Sequence, residues 1–140
     1  MGFIYTGFDS RSRGRDATFK IGMTEDSISP ISRIYANHLC ETGCIRIPNA
    51  DKETLLLLES VARYTCSHSL GLQKKYEKTD FFHYTRKTDN LYEQVFDFAD
   101  AIINAVIEEC EFRGISYELD LKGYTMQGKC ARMCRERGYV

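Results

Sequence analysis

No stretch of this sequence approaches the roughly 20 consecutive apolar residues that a bilayer-spanning helix needs, which excludes functions built on such a helix. The chain runs almost directly into Phe3-Ile4-Tyr5, with no basic region followed by an apolar core. It does not read as a secretory signal, and a cytoplasmic location is expected. A dominant charge is also missing. The formal net charge of −1 gives no global attraction to nucleic acid, so any such binding must come from local patches. There is no internal repeat and no low-complexity segment. The tight CxxC knuckle of structural zinc sites is absent as well. The six cysteines include two i, i+4 pairs, Cys40 with Cys44 and Cys130 with Cys134. His38, His68 and His83 could complete a zinc site with them, whereas reduced thiols are the ordinary state in the cytoplasm.

What is present fits one domain. A chain of 140 residues with 43% apolar and 28% charged residues can bury a single core. Its charges are unevenly spread. Arg11, Arg13 and Arg15 cluster in one loop, Lys74, Lys75 and Lys78 in another, and Lys129, Arg132, Arg135 and Arg137 near the C-terminus. Every charge between residues 89 and 111 is negative. One reading is a set of solvated faces. The other is a basic rim, including Arg11, Arg13, Arg15, Lys74 and Lys75, that meets nucleic acid while an acidic helix turns away.

Local patterns place the elements. Phe3 to Thr6 and Thr18 to Gly22 read as two strands joined by a long polar loop over 7–17. Ser29-Pro30 starts a helix, with Gly43 as its expected stop. Cys44 to Ile47 is a third strand candidate. A helix follows from about Lys52 to Leu70, ending at Gly71. Phe81 to Tyr84 is a further apolar run. Asn90 and Glu93 have capping-box spacing and open a long helix that ends near Gly114. Residues 115–121 alternate as a half-buried strand does. The last residues, from Gln127 to Arg137, fit a short basic helix. Strands and helices mix without a βαβ rhythm. The pattern predicts a small α/β (α+β) fold, a mainly antiparallel sheet of about three strands flanked by helices.

Three residue types invite chemistry. Glu59 follows Leu55-Leu56-Leu57-Leu58, a run that covers most of a helix circumference with leucine. A carboxylate there either faces a cleft, where a metal or a cation relieves its desolvation, or pairs on the surface with Arg63 at i+4. Tyr5 shares a strand face with Phe3. It is either a core tyrosine with a bonded hydroxyl or a site residue. Arg33 is either a solvated arginine or a bidentate phosphate ligand.

In their order, Phe3-Ile4-Tyr5, Lys20-Ile21-Gly22, Arg33 and Glu59 resemble the GIY-YIG endonuclease superfamily. Phe19-Lys20-Ile21-Gly22-Met23-Thr24 with Arg33-Ile34, and the later Asp80-Phe81-Phe82, are most similar to a phage and bacterial branch whose second motif reads KIG. The resemblance spans roughly residues 1–110. It implies a nuclease domain over 1–114, with 115–140 as a C-terminal extension packed on it. It also implies hydrolysis of DNA assisted by Mg²⁺ or Mn²⁺. Glu59 would hold the cation, Tyr5 orient or deprotonate water, and Arg33 stabilise phosphoryl charge. His38, about a helical turn past Arg33, would assist proton transfer or bind phosphate. Phe3 stands where the first motif has glycine, and Lys20 where the second has tyrosine. Lys20 would then be a phosphate contact, or its presence would mark a nucleic-acid-binding module that has lost catalysis. A small zinc or thiol-based interaction protein is a third expectation. A homodimer is a further one, with 115–121 as its contact.

Overall fold

Phe3-Ile4-Tyr5 forms part of the strand at the heart of the sheet. The computed structural model describes residues 1–9, 16–25, 39–74, 81–85 and 91–119. β1 (Gly2–Asp9) lies between β2 (Asp16–Thr24) and β3 (Leu39–Ile47), antiparallel to both. β3 leads through a turn to α1 (Lys52–Tyr64), which runs on as a π turn, Thr65–Ser69. The two-residue β4 (Gln73–Lys74) and β5 (Phe81–Thr85) follow. Next come α2 (Leu91–Arg113) and the two-residue β6 (Glu118–Leu119). The sheet order is β4-β5-β2-β1-β3-β6, and every recorded pairing is antiparallel. The mixed fold and the antiparallel sheet are therefore as the sequence pattern predicts. The three expected strands form its centre, and the apolar run at 81–84 adds β5.

The helices begin and end for local reasons. Asp51 caps α1 by accepting a bond from the Thr54 backbone N–H at 2.8 Å. Gly71, at a φ of +67°, ends the segment as expected, and Gly114, at +69°, ends α2. The helix expected over 52–70 is regular only to Tyr64. Beyond it the Leu70 N–H bonds the Thr65 carbonyl, five residues back, at 3.0 Å.

Three expectations need correction. The helix starting at Ser29 does not reach Gly43, because Leu39 to Gly43 pairs with the second half of β1; residues 29–38 lie outside the described set. The long loop is shorter than 7–17, since Gly7 and Phe8 pair with Lys20 and Phe19, and Asp16 and Ala17 pair with Thr85 and Tyr84. Residues 115–119 form only a two-residue ladder, and its Leu119 is exposed. The expected alternation survives in burial alone, with Ile115 and Tyr117 packed on the core.

The core lies on one face of the sheet. Ile4, Ile21, Ile45 and Ile47 meet Leu55 and Leu58 of α1 and Ile102 and Val106 of α2. Burying each such side chain contributes on the order of 1.5–3 kcal/mol. Two glycines set the approach. Gly2 leaves room for the Leu55 side chain, and Gly43 for Ile103 and Ala99. Both helices thus pack on the face that carries Gly2 and Ile4. The opposite face carries Phe3, Tyr5 and Cys44, each only 1% exposed. β1 is consequently buried on both sides, which is why its middle reads as a continuous apolar run and not an alternating one.

Candidate functional site

Tyr5 stands directly across from Gly22 in the β1–β2 ladder and from Cys44 in the β1–β3 ladder. A Cβ on Gly22 would come closer than 3.0 Å to Cζ, Oη and Cε1 of Tyr5, so the phenol lies flat over the glycine. Only a residue without a side chain admits it. Lys20, two residues before Gly22 and on the same face, places Nζ 5.9 Å from the centre of the Tyr5 ring. That is within reach of a cation–π interaction. The KIG hairpin therefore builds a small unit of lysine, tyrosine and glycine from three backbone positions.

Glu59 sits on α1 at 4% exposure, among the buried residues Leu55, Leu58 and Ala62. Both sequence readings of this residue hold in part. The carboxylate is buried, and Arg63 Nη2 reaches its Oε1 at 3.2 Å. Arg63 is the less buried partner, its side chain 40% exposed. Tyr5 and Lys20 leave the sheet on the face opposite the one that α1 packs against. The hairpin unit and the α1 carboxylate are thus two separate elements of the candidate site.

The other expected residues fall differently. Arg33, His38, Arg11, Arg13, Arg15 and Lys75 lie outside the described residues. Lys74 belongs to β4, where it pairs with Phe82 of β5. Cys44, Cys66 and Cys110 are buried free thiols. Burial pushes the Cys66 thiol up to about 12. Burial, with help from Glu109 and Glu111, pushes Cys110 to about 11. Both stay protonated at neutral pH and are poor nucleophiles and ligands. No cluster of three metal-ligating side chains occurs among the described residues. A cavity of about 310 Å³ between β3 and α2, lined by Thr42, Cys44, Asp100, Ile103 and Asn104 among others, contains none of the residues expected to act in catalysis.

A Mg²⁺ ion commonly takes one or two carboxylates and completes its shell with water and substrate phosphate. Glu59 is the carboxylate that the sequence reading offers to such an ion; it is 4% exposed and already paired with Arg63. Sequence reasoning missed the closeness of Tyr5 to Gly22, whose only signal is the fixed spacing of the two short motifs. It also missed Tyr64 and His68, whose rings stack at 4.3 Å just beyond Arg63. Their signal was an aromatic pair at i, i+4 on a polar stripe. No family model, curated protein or solved structure matches the chain.

Proposed function

We propose that this protein is a metal-dependent endonuclease that hydrolyses phosphodiester bonds in DNA. One observation carries the reading, the burial of Glu59 on a helix that is otherwise leucine toward the core. A buried ion pair adds little net stability, and an apolar residue of similar size often serves a fold as well or better. The pair with Arg63 therefore needs a reason other than packing, and metal binding supplies one. A divalent cation, when bound, polarises the phosphate and stabilises the leaving oxygen. Glu59 would hold the cation, and Arg63 would balance the carboxylate in its absence. The GIY-YIG resemblance gives Tyr5 the orientation or deprotonation of the attacking water, although its ring, packed on Gly22, leaves the sheet on the face opposite α1. Arg33 would stabilise charge on the phosphoryl group, and Lys20 would contact phosphate. The GIY-YIG resemblance supports this division of roles.

The test is cleavage of supercoiled plasmid in Mg²⁺ and then Mn²⁺, comparing wild type with Glu59→Gln. Several kcal/mol of charge stabilisation are at stake, so the variant should cleave at least about a hundredfold more slowly while staying folded. Equal cleavage by both proteins would remove Glu59 from the site. A second reading is a catalytically impaired nucleic-acid-binding module of the same fold. The observation favouring it is Lys20, whose ammonium occupies the place beside Tyr5 where the family motif has a second phenol. Binding of DNA by a folded wild type, without cleavage in either metal, would select it.

A further inference from the structure

The cavity between β3 and α2 is not used by the cleavage reading, and neither Glu59, Tyr5 nor Lys20 lines it. A bulge shapes its floor. Thr6 pairs with Gly43 and Gly7 with Glu41, so Thr42 is the residue left over. A bulge re-aims a side chain, and here the Thr42 hydroxyl meets that of Thr6 at 3.0 Å. Thr42 is only 2% exposed, yet it lines the cavity. The two hydroxyls share one hydrogen bond and hold two protons between them. The Gly43 carbonyl lies 3.5 Å from Thr6 Oγ1, too far for a good second acceptor. The pair therefore keeps hydrogen-bonding capacity at the cavity floor.

The rest of the lining is chemically sorted. Asp100, Ile103, Asn104 and Ile107 recur at the spacing that puts them on one face of α2. A Cβ on Gly43 would lie 3.1 Å from Ile103 and 3.6 Å from Ala99, so strand and helix touch there. Thr42 adjoins Gly43 and Asp100 adjoins Ala99, which places a hydroxyl and a carboxylate beside that contact. Ile107 is about two turns beyond Asp100, and Leu119 pairs with Ile45, further along β3. The lining is thus polar at one end and aliphatic at the other. Every charge between residues 89 and 111 is negative, so this stretch of α2 adds no cation. Asp100 is engaged within the protein, and a carboxylate has room for further donors. An anion would be repelled here, which sets the cavity apart from any phosphate contact.

We propose that this cavity binds a small organic cation, a primary ammonium on a short apolar body. At about 310 Å³ it falls within the roughly 300–1,000 Å³ of small-molecule sites, which pair apolar walls with a few placed polar groups. The ammonium donates to Asp100 and to the Thr42 hydroxyl, in charge-assisted bonds. The body lies on Ile103, Ile107 and Leu119, and Leu119, now 57% exposed, gains cover. Asn104, exposed on α2, sits at the mouth. Binding here does not depend on DNA cleavage.

The experiment is titration of the full chain, labelled with ¹⁵N, with 2-phenylethylammonium, followed by backbone amide shifts. Neutral 2-phenylethanol and anionic 3-phenylpropionate are the comparison compounds. Wild type should bind the ammonium about tenfold more tightly than the alcohol, the worth of a hydrogen bond to a charged group, and should not bind the propionate. The largest shifts should fall on Gly43, Cys44, Ile103 and Asn104. Asp100→Asn should bring the ammonium down to the affinity of the alcohol and leave the alcohol unchanged. Asn104→Phe, at an exposed position, should block the mouth and abolish binding of both. No binding of the ammonium by wild type, shifts that fall outside the cavity, or equal affinity for the three compounds would overturn the proposal. So would an Asp100→Asn protein that keeps the preference for the ammonium. Should Asp100→Asn fail to fold, the three compounds on wild type and the Asn104→Phe block still decide the matter.

Discussion

Adding a single methyl at Gly22 would set a new Cβ against three atoms of the buried Tyr5 ring. Tyr5 is only 1% exposed. Overpacking of this kind costs about 1–3 kcal/mol. Gly22→Ala should therefore lower the unfolding free energy, read from urea denaturation, by that amount. The loss should shrink sharply in the Tyr5→Ala background, where the ring is gone. An additive double mutant would show that Tyr5 and Gly22 are not in contact. At this scale the sequence offered candidate residues and not their arrangement. The motif order singled out Tyr5, Lys20 and Glu59 before any geometry. Their mutual arrangement was not legible, because period-2 alternation says that Tyr5 and Ile4 point apart without saying which face the helices will cover. Packing against Gly2 and Gly43 decides that, through contacts from distant parts of the chain.

The elements show where local rules hold and where pairing overrides them. α1 begins where its cap predicts. The Thr54 N–H holds the Asp51 carboxyl below its ordinary value near 3.8. A carboxyl depressed on folding contributes stability that is present above the unfolded value and fades as pH falls through the folded one. Asp51→Ala should lower the urea midpoint at pH 7. The difference from wild type should narrow below pH 3.8, as the wild-type carboxyl takes up its proton. A gap that is constant from pH 7 to pH 2 would show that Asp51 does not act through its charge. β3 is the opposite case. Leu39-Cys40-Glu41-Thr42-Gly43 has neither strand alternation nor β-branched enrichment, and Gly43 reads as a helix stop. The segment is a strand because the second half of β1 offers it a partner. A register shift between Thr6 and Gly7 absorbs the mismatch, and Thr6 and Thr42 meet there through their hydroxyls at 3.0 Å. The π turn was hidden for a related reason, since Tyr64 to Leu70 contains neither proline nor glycine to mark a break in the helix.

Over the whole molecule, no helix among the described residues is long and apolar enough to cross a membrane. One core on one face of the sheet joins both helices to four of the strands. Cys66 and Cys110 lie inside it, so their ionisation reports on global stability. The Cys66 thiol has an ordinary value near 9 and is raised by burial to about 12 in the fold. The native state keeps a proton that the unfolded chain loses between those values. Stability is thus full below pH 9 and falls as the pH rises toward 12. Urea midpoints measured from pH 8 to pH 11 should decline in wild type and decline less steeply in Cys66→Ala. Identical slopes would place the alkaline loss elsewhere.

The tyrosine resting on a glycine also has a consequence for how the first hairpin is aligned. A two-residue turn dictates which residues of two strands face each other, but the connection over residues 10–15 is too long to do so. Sliding β2 by one residue would put Tyr5 against Ile21 or Met23 and turn Phe19 and Ile21 away from the core, an error that the apolar pattern rejects. Sliding it by two keeps every side chain on its proper face, and the apolar pattern cannot detect that error. Tyr5 would then meet Lys20 or Thr24, and neither leaves space for a ring lying flat on the backbone. Gly22 is the one position in its strand where the phenol fits, so it acts as a positional key that selects a single alignment from the even-numbered alternatives.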